Sequence, residues 1–320
     1  MKIYFAPMEG ITTYTYRNLH RRLYSGVEKY FAPFISPGPD QGLSVKEVRD
    51  VLPENNEGTP LIPQLMTNRP GDFTEACRVM GGLGYREINL NLGCPSGTVV
   101  SKRKGSGFLA YPEELDRFFD QVFADPFIGS GEVEISVKTR TGKESHEEWP
   151  RLMEIYNRYP FKELIIHPRV RNDYYKNTPN LDVFEEAVKN SVNPVVFNGD
   201  LFRVPEFLRF AERFPEEEAV MIGRGLVRNP ELAERIMNLS GTEAAETDGF
   251  DRGRFREFHD MLLSEYRERM SGEIPVLYKM KELWFYMMSM FPDSGKIEKK
   301  IKKSKRLAEY QAAVEELFAE

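Results

Sequence analysis

The chain has 320 residues, of which 41% are hydrophobic and 29% charged, with a formal net charge of −6. This composition suits a globular protein with one large core and a smaller second domain, and it argues against a uniformly basic nucleic-acid binder. Two cysteines exclude a disulfide framework, no Cys/His spacing suits zinc, and no apolar run approaches the ~20 residues that span a bilayer.

Met1–Ala6 is too short for a signal peptide and reads as a first strand, so the expected location is the cytoplasm. Short β-branched or aromatic runs then recur: IYFA (3–6), EKYFA (28–32), LIPQL (61–65), EINLN (87–91), EISVK (134–138), ELIIH (163–167), PVVFN (194–198) and AVMIG (219–223). Segments with helical spacing lie between most of them, Asp72–Met80 and Pro112–Phe123 among them. Strand–helix alternation implies a parallel sheet, and eight such units fit a closed (β/α)8 TIM barrel over 1–239. A doubly wound sheet would show Gly-x-Gly-x-x-Gly after its first strand; Ala6-Pro7-Met8-Glu9-Gly10 stands there instead. Ser240–Gly249 is polar and reads as a linker. From Phe250 the pattern is wholly helical, with Phe255, Phe258, Leu262 and Tyr266 at spacings of three and four, so 250–320 is expected to be a small all-helical C-terminal domain.

Barrel enzymes carry their chemistry at the C-terminal ends of the strands. Those ends hold Pro7, Met8 and Glu9; Gln64; Asn89, Asn91 and Cys94; Lys138; His167; Asn198; and Gly223-Arg224. Turn-forming residues are ordinary at such ends, but a polar or cationic group at nearly every one points to an anionic, hydrogen-bonding ligand. Asn198-Gly199-Asp200 and Gly223-Arg224-Gly225 follow strands seven and eight, where barrels often bind phosphate. Cys77 shares a helical stripe with Phe73 and Met80 and reads as core, whereas Cys94 sits in a polar loop running to Gly107. A thiol with a pKa near ~8.5 is mostly protonated at neutral pH and can donate a proton. Lys102, Arg103 and Lys104 leave the same strand as Cys94, which would let a phosphate chain lie across the mouth of the site. The positive run Lys296–Arg306 reads either as a solvated helix face or as a polyanion contact. Met280, Trp284, Met287 and Met288 read as helical core, and Gly142–Pro160 reads as an insertion without a role.

The stretches APMEGIT (6–12), QLMTN (64–68), INLNLGCPS (88–96), VKTR (137–140), His167-Pro168-Arg169, Asn198-Gly199-Asp200 and Ile222–Gly225 together resemble the motifs of the tRNA-dihydrouridine synthases, in family order. The resemblance implies an FMN-containing barrel that uses NADPH to reduce the C5–C6 double bond of chosen uridines in tRNA. It implies that Pro7, Met8 and Glu9 line the flavin, that Gln64 and Lys138 bond its pyrimidine edge, and that His167 contacts the flavin or its phosphate arm. By the same resemblance Asn198, Gly199, Asp200, Gly223 and Arg224 hold the phosphate, Asn91 and Cys94 face the uracil with Cys94 as proton donor, and Arg169 seats the substrate. The basic loop and the helical domain would contact tRNA, and a monomer without metal is expected. Thr13 and Val170 depart from the family pattern, which ordinarily has Asp and Thr there. Two other readings compete: an FMN barrel acting on a free pyrimidine or small enone, and an RNA-binding barrel without chemistry.

Overall fold

The computed structural model describes residues 1–38, 43–238 and 250–319; the expected linker Ser240–Gly249 and the boundary at Leu239 lie outside them. Nine parallel segments form the sheet: β1 (Lys2–Phe5), β2 (Lys29–Phe31), β3 (Leu61–Ile62), β4 (Gln64–Leu65), β5 (Glu87–Leu92), β6 (Glu134–Arg140), β7 (Leu164–His167), β8 (Val195–Asn198) and β9 (Ala219–Ile222). Their order is β3-β2-β1-β9-β8-β7-β6-β5-β4. The two ends of that order flank Pro63, so the expected strand LIPQL is two segments of one strand and the ring closes there. Proline has no N–H to give to a ladder, and the strand breaks at it. The Pro63 carbonyl still accepts from Asn89 N (2.9 Å), and Ile35 bridges to Leu65.

Alternation along the strands divides the barrel interior by chemistry. Tyr4, Ala6, Phe31, Ile165, Val196, Ala219 and Met221 form one apolar cluster, with Ile62 against it. On β4–β6 the same face is polar. Gln64 pairs in register with Asn89, Asn89 with Ser136, Asn91 with Lys138, and Lys138 with Ile165. The interior therefore has one polar sector set in an otherwise hydrophobic ring. At the N-terminal rim Lys29 Nζ donates to Glu87 Oε2 (2.7 Å) and Glu163 Oε2 (3.0 Å), and Tyr4 Oη donates to Glu163 Oε1 (2.6 Å). That end of a barrel serves stability.

The stretch Gly142–Pro160 is not an insertion. It holds the helix Trp149–Tyr156, the helical partner of β6, preceded by a one-turn 3-10 segment His146–Glu148. Ser145 and Glu148 form a capping box there, and Pro150 occupies the first turn. These start signals stand in the sequence as Ser-x-x-Glu-Trp-Pro. Outside the sheet, Phe119 packs 5.0 Å from Phe161 and 5.3 Å from Tyr159.

Packing divides the chain into two units. The first comprises Met1–Glu9, Glu28–Asp200 and Glu216–Met221; the second comprises Gly10–Val27, Leu201–Pro215 and the residues from Ile222 on. In the second unit the helix Tyr14–Leu23 lays Tyr16 and His20 against Phe258 of the helix Arg252–Arg269. The helices Glu273–Met287, Gly295–Lys303 and Leu307–Ala319 follow, and the described residues from Arg252 on contain no strand. Phe255, Phe258, Leu262 and Tyr266 are buried, as are Met280, Trp284, Met287 and Met288. Inside this bundle Trp284 Nε1 donates to Tyr310 Oη (2.6 Å), which also bonds His259 Nε2 (2.5 Å).

Candidate active site

The first unit brings the expected polar residues of β4–β6 into one hydrogen-bonded chain. Gln64 Nε2 donates to Asn89 Oδ1 (2.7 Å), Asn89 Nδ2 to Ser136 Oγ (2.9 Å), and Asn91 Nδ2 to Gln64 Oε1 (2.8 Å). Gln64 and Asn89 are fully buried, so these amides are mutually satisfied and rigid. Each amide nitrogen of Gln64 and Asn91 keeps a second N–H beyond the bond named here.

Asn91 also fixes the loop that bears the cysteine. Its Oδ1 accepts from Gly93 N (3.0 Å) and Cys94 N (2.9 Å). From the other side the Cys94 carbonyl accepts from Ser106 N (3.1 Å) and Ser106 Oγ (2.7 Å). Gly105 lets the chain turn back here: its φ is +54°, and a Cβ would press to 2.9 Å from the Cys94 carbonyl oxygen. The peptide before Cys94 is gripped at its other end too, because Arg140 Nε donates to the Gly93 carbonyl (2.9 Å). Arg140 continues to Val170 O (2.9 Å) and Tyr174 O (2.7 Å), joining the Cys94 loop to the loop after β7. Sequence reasoning quoted Arg140 within VKTR but gave it no role. The signal was its place two residues beyond Lys138, on the same strand face.

Cys94 is half-buried, and burial pushes its thiol above the ordinary cysteine range; Glu9 adds to this, while Ser96 N–H, Arg140 and Lys138 pull the other way. Cys77 is wholly buried, as a core residue should be. Lys138 stands beside Asn91 on the neighbouring strand. Burial, with the Arg140 cation, draws its pKa down to about 7 against a weak pull from Cys94. No hydrogen bond reaches its ammonium from the described residues.

At the ends of β7 and β8 the residues are tied to one another. Asn198 Nδ2 donates to Met221 O (2.8 Å), and a Cβ on Gly199 would lie 2.2 Å from the Phe197 ring. Arg169 is completely buried and holds Asp200 and His167. Pro7 and Met8 are half-buried after β1 and Glu9 is exposed. In the basic loop Lys102 is exposed, Arg103 pairs with Glu114 (3.4 Å) over the Tyr111 ring, and Lys104 Nζ donates to Ser36 Oγ (3.2 Å). Gly223 and Arg224 belong to the second unit, where Gly223 precedes the short helix Arg224–Arg228 and the Arg224 guanidinium lies 5.0 Å from the Phe202 ring centroid.

The chain is a (β/α)8 barrel that carries a pinned cysteine, a lysine and a row of fixed amides at the C-terminal rim of its strands. Among solved structures the fold is similar to morphinone reductase in complex with tetrahydroNAD (TM-score 0.52, 11% identity, 79% of this chain and 90% of that one). It is also similar to histamine dehydrogenase from Rhizobium sp. 4-9 (TM-score 0.56, 12% identity, 81% of this chain and 46% of that one). At these identities the likeness shows the fold alone. Residues 4–320 match the family model for dihydrouridine synthase, and the chain belongs to that family. Relatives include a probable tRNA-dihydrouridine synthase of Staphylococcus aureus (27% identity over 235 residues, 70% of this chain and 68% of the relative). Another is tRNA-dihydrouridine synthase B of Shewanella oneidensis (28% over 234 residues, 73% and 70%).

Proposed function

We propose that this chain reduces the C5–C6 double bond of particular uridines in tRNA, with FMN as resident cofactor, NADPH as the source of electrons and Cys94 as the proton donor. The observation that carries the reading is Cys94 itself. Its thiol is kept protonated by burial, and its peptide is fixed at both ends by Asn91, Arg140 and Ser106. A general acid must be protonated and held in place, and the raised thiol pKa and fixed backbone of Cys94 support that role.

The residues present fit a flavin. Lys138 is a desolvated amine without a hydrogen-bond partner among the described residues, suited to a ring edge that carries negative charge. Gln64 offers its second amide N–H to the same edge. Pro7 and Met8 supply half-buried apolar surface, Glu9 flanks it, and His167, Asn198, Gly199 and Asp200 stand at the β7 and β8 ends. Gly223 and Arg224 in the second unit carry a backbone N–H and a guanidinium of the kind that binds phosphate. When bound, the flavin supplies the hydride that C6 receives. Cys94 Sγ–H gives its proton to C5, and solvent returns a proton to the thiolate; the sum is NADPH, a proton and uridine in, NADP⁺ and dihydrouridine out. Asn91 faces the uracil with its remaining N–H. The base must first leave its stack, at a cost of roughly a few kcal/mol. Phosphate contacts from Lys102, Arg103 and Lys104, and separately from the helices of the second unit, offset it.

The test is anaerobic incubation of the FMN-loaded protein with NADPH and unmodified tRNA, followed by mass spectrometry for dihydrouridine, with free uridine in a parallel reaction. Product in tRNA and none from the nucleoside is the expected result. Brisk turnover of free uridine would instead identify a small-substrate flavoenzyme.

A further inference from the structure

The resemblance gave Arg169 a place against the substrate, but its guanidinium has nothing left to offer one. A guanidinium carries five N–H donors, no acceptor, and a permanent charge. Here Nε donates to Lys176 O (3.0 Å), Nη1 to His167 Nε2 (3.0 Å) and Asp200 Oδ1 (3.0 Å), and Nη2 to Asn177 O (2.6 Å) and Asp200 Oδ2. All five donors are spent inside the first unit, and the side chain has no exposed surface.

We propose that Arg169 is a positioning residue that holds His167 as the neutral Nδ1–H tautomer and cancels the charge of Asp200, so that the β7–β8 rim sets no uncompensated negative charge against an anionic ligand. The first half follows from donor arithmetic. Nη1 can only donate, so His167 Nε2 must supply a lone pair, and a neutral imidazole with a lone pair on Nε2 carries its hydrogen on Nδ1. Protonating Nε2 would set N–H against N–H in a buried site. The second half follows from the paired contact of Nη1 and Nη2 with the two Asp200 oxygens, which neutralises the one carboxylate of Asn198-Gly199-Asp200. The backbone is bent to deliver the remaining acceptors: Tyr174 and Asn177 adopt φ of +51° and +57°, and the intervening turn points the carbonyls of Lys176 and Asn177 at the guanidinium. The ligand is taken from the flavin reading above; the tautomer and the charge cancellation stand without it.

The tautomer is read directly by ¹⁵N NMR of histidine-labelled, ligand-free protein at neutral pH, with the His167 signals assigned among the four histidines by loss in His167→Gln. A lone-pair shift at Nε2 with an N–H shift at Nδ1 is expected; the opposite tautomer, or an imidazolium, overturns the proposal. Charge cancellation is tested by titrating FMN into ligand-free Arg169→Met, Asp200→Asn and the double variant, each checked for folding by circular dichroism. Arg169→Met should bind roughly tenfold more weakly, since it removes the cation that offsets the Asp200 carboxylate, and Asp200→Asn in the same chain should restore part of the loss. Equal weakness in the single and double variants would refute the charge half. Failure of the wild-type protein to bind FMN, with the tautomer as stated, would overturn the flavin reading and leave the His167 assignment intact.

Discussion

At the scale of single residues the candidate site is a set of opposed protonation preferences. Burial holds the Cys94 thiol protonated and draws the Lys138 ammonium down to about 7, so the two groups respond to pH in opposite senses from one buried environment. Replacing Cys94 with Ala should leave FMN retention and NADPH oxidation by oxygen intact while dihydrouridine formation falls roughly 10²–10⁴-fold. Product formation near the wild-type rate would reduce Cys94 to a structural thiol. For Lys138 the sign is worked from linkage: with a pKa of about 7 in the fold against an ordinary 10.5, the unfolded chain holds the extra proton between those values. Stability of the ligand-free protein should therefore rise as pH increases from 7 toward 10.5 and be lost again as pH falls to 7. Lys138→Met should flatten that limb and raise the melting temperature at pH 7 while abolishing flavin retention; a lowered melting temperature in a folded variant would mean that the lysine is not desolvated as described.

At the scale of elements, the loops matter more than the strands. The Cys94 loop is tied to the loop after β7 through Arg140, which holds one carbonyl of the first and two of the second. Its pKa is lowered to about 10 mainly by burial, and it remains a cation at neutral pH. Arg140→Met should leave the barrel folded but free Gly93 and Tyr174 together. Hydrogen exchange should accelerate in both loops, and turnover should fall without a matching loss of FMN. Faster exchange in the Cys94 loop alone would show that the two are not coupled. The helix Trp149–Tyr156 shows how an element escapes notice. Its start signals are clear, but its apolar face, with Leu152, Met153, Ile155 and Tyr156 buried, is short and contiguous and gives no long 3.6-residue period to read.

At the scale of the whole molecule, the two units carry different chemistries. The first unit holds the rim residues from Pro7 to Asp200, while Gly223 and Arg224 fall in the second. The helical unit carries an exposed row of lysines: Lys296, Lys299 and Lys303 lie on one face of the helix Gly295–Lys303, while Ile297 and Ile301 are buried on another. Lys300 and Lys302 are paired with Glu316 and Glu298, and no ion pair engages the other three among the described residues. If the row meets RNA phosphates, Lys296→Ala/Lys299→Ala/Lys303→Ala should weaken tRNA binding and reduce the slope of log affinity against log salt by roughly 2 to 3. An unchanged slope would return the row to a solvated face. Much of this protein was legible before folding was considered. Alternating β-branched runs placed the strands, and the residues at or just beyond their ends, Gln64, Cys94, Lys138 and Asn198 among them, marked the candidate rim, because strand period and barrel polarity are local properties of the chain. Which donors remain free was decided only by tertiary structure. Arg169 seemed suited to a substrate until its five N–H groups were found spent, and Arg140 drew no attention until Gly93, 47 residues away, came within reach of it. A side chain's chemistry is set by its partners, and the decisive ones here, Gly93 for Arg140 and Asp200 for Arg169, follow neighbouring strands that only the folded sheet brings alongside.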